Sequence, residues 1–371
     1  MKKIIISFCA AVMTLSSWAV SHEYTTQHVE LADVSLNPGG DYVTVVASVE
    51  GISAYTAYGL DIYVPKGFEF VKVELENVDE EMEWMHASNG AACKALHYTQ
   101  SAIQKDGALR VTASHATNAT FKTSSTELFK FYLKANSFVK PGPVEIQIKN
   151  CFFTTSAGIQ YDTDDITISD KVTVTTSATA PFTVSASNKW STCILPFDAE
   201  LPAGVKAYTC NDKDDDAMTL ILSSVNSIEA YTPYILYSEN GFSGNLTGTV
   251  DMSKYPETGY AEEGLLCGAV KEQEISAGYV MQNLDGTGAK FYSMGGDNFI
   301  IPAGKCWVKF FFNSNAKMFS FAIHEEDNAT AVNAISINKR IANTKRNIVG
   351  QTVTENYKGI VIIDGKKYIK K

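Results

Sequence analysis

The sequence predicts an all-β protein with two antiparallel β-sandwich domains followed by a small C-terminal β-hairpin module. Short segments in which apolar and polar residues alternate recur along the chain, and Gly, Pro, Asn or Asp residues separate them. Residues 28–174 contain no clear amphipathic helix pattern. The 371 residues, 45% hydrophobic and 11% aromatic, are globular in composition and too many for one ordinary core.

The N-terminus has the pattern of a secretory signal peptide. Two lysines precede an apolar run from Ile4 to Leu15, and the small residues of "SSWA" follow it. This pattern predicts cleavage between Ala19 and Val20, which would remove residues 1–19. Neither this run nor any later stretch is long enough for a permanent membrane span. We therefore expect an exported protein, located at the cell surface or outside the cell.

The first sandwich domain is predicted over residues 22–176. Its segments "HVELADVSL" and "YVTVVASVEG" alternate on either side of the turn "NPGGD", and "LRVTASHA", "ELFKFYLKA" and "VEIQIKN" follow the same pattern. About nine strands of this kind indicate an antiparallel sandwich. The stretch "EEMEWMHASNGAACKALHYTQ" breaks the pattern and is predicted as a long loop or a short helix.

The second sandwich domain is predicted over residues 182–326. Its strand candidates include "WSTCILPF", "AMTLILSSV" and "TPYILYS", and "NLDGTGA" predicts a hairpin turn at Asp285-Gly286. The preceding "TVTTSATAPFTVSA" is poor in large apolar residues. It is either the inter-domain linker or the lead-in strand of the second domain.

A basic C-terminal module is predicted over residues 346–371, after a polar linker at residues 327–345. From Lys339 to Lys371 nine Lys or Arg residues stand against two acids, whereas the whole chain carries −10. The last segment, "KGIVIIDGKKYIKK", predicts two strands that turn at Asp364-Gly365. The acidic upstream chain argues against nucleic acid as a partner, because phosphate neutralisation needs clustered cations.

Three parts of the chain resemble modules of secreted Bacteroidota proteins. The segments "VSLNPGGDYVTVVASVEG", "AYGLDIYVPKGFEFVKV" and "NCFFTTSAGIQYDTDD" resemble the cohesin-like, carbohydrate-binding-module-like sandwich with jelly-roll topology. That resemblance implies a polysaccharide or a dockerin-like surface protein as partner, and it transfers no recognition residue. "WSTCILPFDAELPAGVKAYT" and "IPAGKCWVKF" resemble a β domain of the same proteins that has no defined chemistry.

The C-terminal segment resembles the sorting module of type IX secretion substrates. "NIVGQTV" stands where that module has a Gly-Gln or Gly-Arg pair before a Val, and "KGIVIIDGKKYIKK" matches its final hairpin with closing lysines. The resemblance implies that the secretion machinery recognises this module.

Two aromatic residues are candidates for ligand binding. Trp84 and Tyr98 lie in the irregular stretch and not in a period-2 core position. Exposed aromatic rings can stack on the faces of sugars. The alternative is that both rings cap one end of the sandwich.

The acidic run "NDKDDD" is a candidate calcium site through Asp212, Asp214 and Asp216. Carboxylates are suitable calcium ligands, but the run lacks the Gly and the closing Glu of an EF-hand loop. A solvated turn is the alternative and the favoured interpretation. No other cofactor is expected.

The cysteines have no metal-ligand spacing. Six remain after signal cleavage, and no CxxC occurs. Buried thiols are the favoured interpretation. If one disulfide forms, Cys193 and Cys210, which flank one predicted hairpin, are the best pair.

The sequence contains no catalytic signature, since GxSxG, HExxH and Walker motifs are all missing. We therefore expect a non-catalytic binding protein whose first domain engages glycan or a partner protein. One alternative is a structural or adhesion protein in which both sandwiches are spacers. A polysaccharide-active enzyme is the third and least favoured interpretation, since carboxylate pairs are defined only in space.

Overall fold

The structure is a computed structural model. It describes residues 21–50, 54–74, 82–83, 85–86, 97–122, 126–284, 288–294, 298–309, 317–324, 346–347, 359–363 and 366–370. The predicted cleavage site at Ala19 and Val20 and the linker at residues 327–345 lie outside these residues. Apart from one turn of 3-10 helix at Met252–Lys254, the regular elements in the described residues are strands.

The first sandwich contains seventeen short strands within residues 21–174. They are β1 (Ser21–Tyr24), β2 (Glu30–Leu31), β3 (Val34–Leu36), β4 (Val43–Ser48), β5 (Tyr55–Tyr63), β6 (Phe68–Phe70), β7 (Val73–Glu74), β8 (Met82–Glu83), β9 (Met85–His86), β10 (His97–Ile103), β11 (Leu109–His115), β12 (Glu127–Ala135), β13 (Gly142–Pro143), β14 (Ile146–Thr155), β15 (Ile159–Asp162), β16 (Ile166–Ile168) and β17 (Val172–Val174).

Two main sheets of this sandwich face each other. A seven-stranded sheet has the order β1-β15-β14-β5-β11-β10, with β16 also paired to β14. A five-stranded sheet has the order β2-β4-β12-β6, with β9 also paired to β12. Tyr58 of β5 reaches across to Phe129 of β12, and their ring centroids lie 6.1 Å apart. Both rings are fully buried in the core between the sheets.

The second sandwich contains sixteen strands within residues 177–324. They are β18 (Ser177–Val184), β19 (Trp190–Cys193), β20 (Ala199–Glu200), β21 (Lys206–Asp214), β22 (Thr219–Val225), β23 (Ser227–Ile228), β24 (Tyr234–Tyr237), β25 (Phe242–Thr249), β26 (Tyr260–Glu263), β27 (Leu266–Ala269), β28 (Gln273–Ile275), β29 (Tyr279–Gln282), β30 (Lys290–Ser293), β31 (Phe299–Ile301), β32 (Cys306–Val308) and β33 (Met318–His324).

A ten-stranded sheet dominates the second sandwich, in the order β19-β24-β21-β22-β33-β30-β29-β32-β27-β26. Its sides pack into separate clusters of buried residues, one of which includes the β18–β25 pair. Strands β29 and β30 pair antiparallel on either side of the predicted turn, and the turn residues Asp285 and Gly286 lie outside the described residues.

The predicted all-β class with two β-sandwiches is confirmed. The strands are not all antiparallel, because three pairs are parallel: β1 with β15, β17 with β3, and β22 with β33. Each parallel pair joins segments that are far apart in the sequence, which local alternation does not reveal.

Two local predictions need correction. Parts of "EEMEWMHASNGAACKALHYTQ", predicted as a loop or helix, form strands β8, β9 and β10. The stretch around Pro181 is not a linker, because β18 pairs along its whole length with β25 and buries Phe182. Pro181 is tolerated since β18 is an edge strand of a two-stranded sheet. A start of the second domain at residue 182 would cut this strand, so we place it at Ser177; the division into domains stays a prediction.

The C-terminal strands are β34 (Arg346–Asn347), β35 (Gly359–Ile363) and β36 (Lys366–Lys370). Strands β35 and β36 form the predicted hairpin, in which Ile363 pairs with Lys366. Asp364 and Gly365, the predicted turn residues, lie outside the described residues. Strand β34 adds to β35, which makes a three-stranded sheet. Across the described residues no helix has the length and hydropathy to cross a membrane.

Candidate functional site

The candidate site is the solvent side of the seven-stranded sheet, which we call the outer face. The strand register sets two neighbouring rows of side chains across this face, with one residue from each of β10, β11, β5, β14, β15 and β1. The first row consists of Tyr98, Ser114, Ala57, Thr154, Gln160 and His22. The second row consists of Gln100, Thr112, Gly59, Phe152, Asp162 and Tyr24.

The alternation along β11 fixes which side faces solvent. Leu109, Val111 and Ala113 are buried in the core, whereas the residues between them are exposed. Because successive side chains of a strand point to opposite sides, the exposed residues define the outer face.

Phe152 lies at the centre of the outer face, on top of Gly59. An ideal Cβ atom on Gly59 would lie 2.5 Å from Cε1 and 2.7 Å from Cζ of Phe152. The ring therefore fills the place that a side chain at position 59 would take. Gly59 is buried beneath the ring, and Phe152 stays partly exposed on the solvent side of the sheet. A glycine in the strand permits this close approach.

Two tyrosines lie on the edge strands of the same face. Tyr98 on β10 is 60% exposed, and Tyr24 on β1 is 80% exposed. They stand on the two outermost strands of the sheet, roughly 24 Å apart at about 4.8 Å per strand interval. The outer face thus carries an aromatic side chain at each edge and one near its centre.

A buried carboxylate anchors one end of the outer face. Arg110 donates from Nε and Nη2 to the two oxygens of Asp61, each at 2.7 Å, and Asn150 Nδ2 donates to Oδ2 at 2.8 Å. The hydrogen bonds from Arg110 chiefly hold the pKa of Asp61 below its usual value. Asn150 has a φ of 51° at the irregularity in the pairing of β14 with β5, a conformation that Asn tolerates better than most residues. The Arg110 guanidinium is therefore held on Asp61 by two hydrogen bonds while half of its side chain remains exposed.

A second polar group lies towards β1. Asp162 accepts hydrogen bonds from Gln160 Nε2 at 2.7 Å and contacts His22 Nδ1 at 2.8 Å. The hydrogen bond from Gln160, followed by that from His22, lowers the pKa of Asp162. These contacts fix the strand that follows the predicted signal peptide to β15.

The middle of the outer face is neutral. The residues between the two charged groups offer hydroxyls, amides, small side chains and one phenyl ring: Tyr98, Gln100, Thr112, Ser114, Ala57, Gly59, Phe152 and Thr154. This surface supplies hydrogen bonds and a stacking plane, and it contains no acid–base pair or nucleophile with an activating partner. Such a surface is suited to binding.

Of the two predicted aromatic residues, the structure places one on this face. Tyr98 lies on strand β10 and not in an irregular loop, because its backbone pairs with Ser114 of β11. Trp84 lies outside the described residues. The sequence analysis missed Phe152. The segment "CFF" of β14 could have indicated it, because Phe153 is buried in the core and the adjacent residue of a strand faces the opposite side.

The candidate calcium ligands are exposed. Asp212 and Asp214 lie on β21, and Asp216 follows in the turn to β22. Asp214 accepts a hydrogen bond from the backbone N–H of Ala217 at 2.9 Å, which is the contact of a turn residue. No group of three or more His, Cys, Asp or Glu side chains in the described part of the chain could hold a metal ion.

Cys193 and Cys210 do not form the predicted pair. Both thiols are free and buried, and they belong to different hydrophobic clusters. Strand β24 lies between their strands β19 and β21, so a bond between them would require a rearrangement of the sheet.

No protein-family model and no curated protein matches this chain. Among solved structures it is similar to a cohesin module from a Clostridium perfringens family 33 glycoside hydrolase, with 10% identity, a TM-score of 0.29, and coverage of 40% of this chain and 96% of the module.

Two further solved structures are similar to this chain with comparably low identities and TM-scores. The sixth cohesin from scaffoldin B of Acetivibrio cellulolyticus, solved with a dockerin, is 14% identical with a TM-score of 0.30, covering 40% of this chain and 98% of that one. Two domains of the major pilin SpaD from Corynebacterium diphtheriae are 12% identical with a TM-score of 0.26, covering 81% of this chain and 97% of that one. Because these TM-scores are all below 0.5, the description of the fold rests on the strand pairing given above.

Proposed function

We propose that the chain is an exported, non-catalytic binding protein of the cell surface or its surroundings, and that the outer face is its docking surface. The observation that carries this proposal is the position of Phe152, whose partly exposed ring lies over Gly59 on the solvent side of the sheet. Exposed aromatic side chains at both edges extend the same surface. The partner is a polysaccharide or a surface protein of the dockerin kind.

Export is supported by the signal-peptide pattern of residues 1–19. The C-terminal module would act as the address that the secretion machinery recognises, and its hairpin is basic whereas the rest of the chain is acidic. N-terminal sequencing of the protein isolated from its host should find Val20 as the first residue. A retained Met1 would contradict the export proposal.

A structural or adhesion role is the second candidate, and one observation favours it. Phe138 of the first sandwich is buried in the core cluster of the second, so the two sandwiches are joined through packed side chains. A rigid arm of this kind would suit a spacer that holds another part of a surface assembly.

The test uses the mature protein, residues 20–371, on a glycan microarray and on an array of purified extracellular proteins from the same host. A Tyr24→Ala/Tyr98→Ala variant removes both edge aromatics, and Tyr42→Ala is the matched control because Tyr42 is 45% exposed beside Tyr132 of the other sheet. We expect binding that the double variant loses and the control keeps. Absence of binding on both arrays would favour the spacer role. Release of reducing ends from a bound polysaccharide would show an enzyme instead.

A further inference from the structure

We propose that the ligand of the outer face is a neutral polysaccharide chain, stacked on Phe152 and extending across the strands between Tyr98 and Tyr24. This inference rests on the docking role proposed above and adds the chemical class of the ligand and its path.

The partly exposed Phe152 ring is the stacking platform. Gly59 supports the ring from below, so the ring cannot sink into the sheet when a ligand presses on it. A pyranose ring presents a patch of C–H groups that packs on an aromatic plane. A ring already fixed in the bound position loses little side-chain entropy on binding.

Neutral hydrogen-bonding groups surround this platform. Thr112 and Gln100 follow Phe152 towards β10 in the same row, and Thr154 and Ser114 lie in the neighbouring row. Hydroxyl and amide groups both donate and accept, which matches the equatorial hydroxyls around a sugar ring. The arrangement of one aromatic plane with neutral donors and acceptors around it is the chemistry of saccharide recognition.

The two carboxylates of the outer face are already hydrogen-bonded within the protein, and Lys149, which stands opposite Asp61 on β14, places its Nζ 5.0 Å from the centre of the Tyr63 ring. Asp61 is satisfied by Arg110 and Asn150, and Asp162 is satisfied by Gln160 and His22. The middle of the face therefore offers no uncompensated charge for an acidic or basic ligand, and a neutral ligand is the best match.

A protein partner would need a different surface. Stable protein interfaces bury about 800 Å² on each partner around an apolar centre. The apolar centre here is a single phenyl ring with polar residues on either side. An extended saccharide chain needs only a narrow track, and the roughly 24 Å between the edge strands offers one.

The test is affinity electrophoresis of the mature protein in gels that contain one polysaccharide each. The neutral probes are laminarin, galactomannan, xyloglucan, arabinan and glycogen, and the acidic comparison is polygalacturonate. Phe152→Leu keeps an apolar cover over Gly59 but lacks the planar surface. Tyr98→Ala removes an edge contact, and Tyr42→Ala on the other sheet is the control.

We expect at least one neutral probe to retard the wild-type protein and the control. Phe152→Leu should weaken that binding by about tenfold, and Tyr98→Ala should weaken it by a smaller factor. Circular dichroism of each variant checks that the fold is retained.

Each of the other possible results contradicts a specific part of the proposal. One outcome is that no neutral probe binds, whereas a purified protein binds and the Tyr24→Ala/Tyr98→Ala variant loses that binding. The proposed ligand class would then be wrong, and the outer face would remain the docking surface. Retardation by polygalacturonate alone would overturn the neutral ligand. Binding to a neutral probe that Phe152→Leu leaves unchanged would overturn the platform. If nothing binds in any assay, the docking role falls as well.

Discussion

Phe138 of the first sandwich lies against Gly304 of the second. An ideal Cβ on Gly304 would stand 3.2 Å from Cε2 of Phe138, whose side chain is 7% exposed within the core of the second sandwich. Nearby, Lys140 forms an ion pair with Glu257 at 2.5 Å and lies 5.1 Å from the centre of the Tyr255 ring. Residues 22–176 and 182–326 each have enough strands for a core of their own, which alone would predict independent folding, whereas the contacts of Phe138 and Lys140 argue that the two sandwiches stabilise each other.

Replacing Phe138 with Ala should lower the stability of both sandwiches. The substitution removes a buried ring and leaves a cavity at the junction, and we expect a loss of about 2–4 kcal/mol. Urea unfolding followed by tryptophan fluorescence measures it. Phe299→Ala, at a position 39% exposed, is the control and should change little. An unchanged midpoint for Phe138→Ala, or two separate transitions in the wild type, would restore the picture of independent domains.

Replacing Gly39 with Ala should be more damaging than an ordinary glycine substitution. Gly39 has a φ of +66°, and its ideal Cβ would lie 1.9 Å from the carbonyl oxygen of Thr179. The adjacent Pro38 carbonyl accepts a hydrogen bond from the Thr179 N–H at 2.8 Å, which joins the two sandwiches. We expect a loss of about 2–4 kcal/mol from strain and overlap together.

Gly158 supplies the matched control for Gly39. It has a φ of +80°, but nothing lies within 4 Å of its ideal Cβ. Gly158→Ala should therefore lower the free energy of unfolding by only about 1 kcal/mol, the cost of a left-handed backbone conformation for a residue with a Cβ atom. Equal losses of unfolding free energy in the two variants, measured by urea unfolding, would mean that the overlap with Thr179 does not destabilise the Gly39 variant.

Period-2 alternation predicted the strands well and the long-range contacts poorly. It identified β11, whose core residues alternate with exposed ones, and β4, whose core residues alternate with half-buried ones. It could not show that β18 pairs with β25 across nearly sixty intervening residues, because pairing partners are not encoded in a local pattern. It also missed β10, whose half-buried side carries the polar residues His97, Thr99 and Ser101 in place of apolar ones.

The candidate site was predictable only in part. Tyr98 stood out as an aromatic residue away from the apolar rows, and it is exposed. The contact of Phe152 with Gly59 depends on the register between β14 and β5, which joins residues far apart in the chain. A glycine within a strand signals that something approaches closely, but the sequence does not say what.

The Asp61 network should make stability depend on acid pH. The pKa of Asp61 is lowered in the folded protein, mainly by the hydrogen bonds from Arg110. Its contribution is therefore complete above the unfolded value near pH 4 and is lost as the pH falls through the lower folded value. Asp61→Asn should lower the free energy of unfolding by about 1–3 kcal/mol at pH 7 and by clearly less at pH 2. Urea unfolding at both pH values checks this, and an equal difference at both would contradict it.

The thiols should be unreactive in the folded protein. Burial raises the pKa of Cys151 to about 11 and raises that of Cys193 to about 12, so almost no thiolate is present at pH 8. Burial is also the chief cause of the raised pKa of Cys210, Cys267 and Cys306. Iodoacetamide followed by mass spectrometry should find these five thiols unmodified until urea unfolds the chain. A disulfide between any two of them in protein from the host would contradict this.

The C-terminal module should govern location and not stability. In the described part of the chain its strands pair only with one another, in the order β34-β35-β36, so removing residues 346–371 takes no strand from either sandwich. A small isolated sheet is marginal in water and stabilises its neighbours little. The truncated protein should therefore melt within about 2 °C of the full chain.

In the native host, the same truncation should leave the protein in the periplasm and not at the surface or in the medium. The lysines of this module give a receptor a positive surface that the acidic upstream chain lacks. Fractionation with immunoblotting of the two forms measures the outcome. Lys366→Glu/Lys367→Glu is the matched variant, because it keeps the length of the hairpin and removes its net positive charge. Normal surface display of the truncated form would show that the address lies elsewhere, and a large fall in melting temperature would show that the module completes the second sandwich.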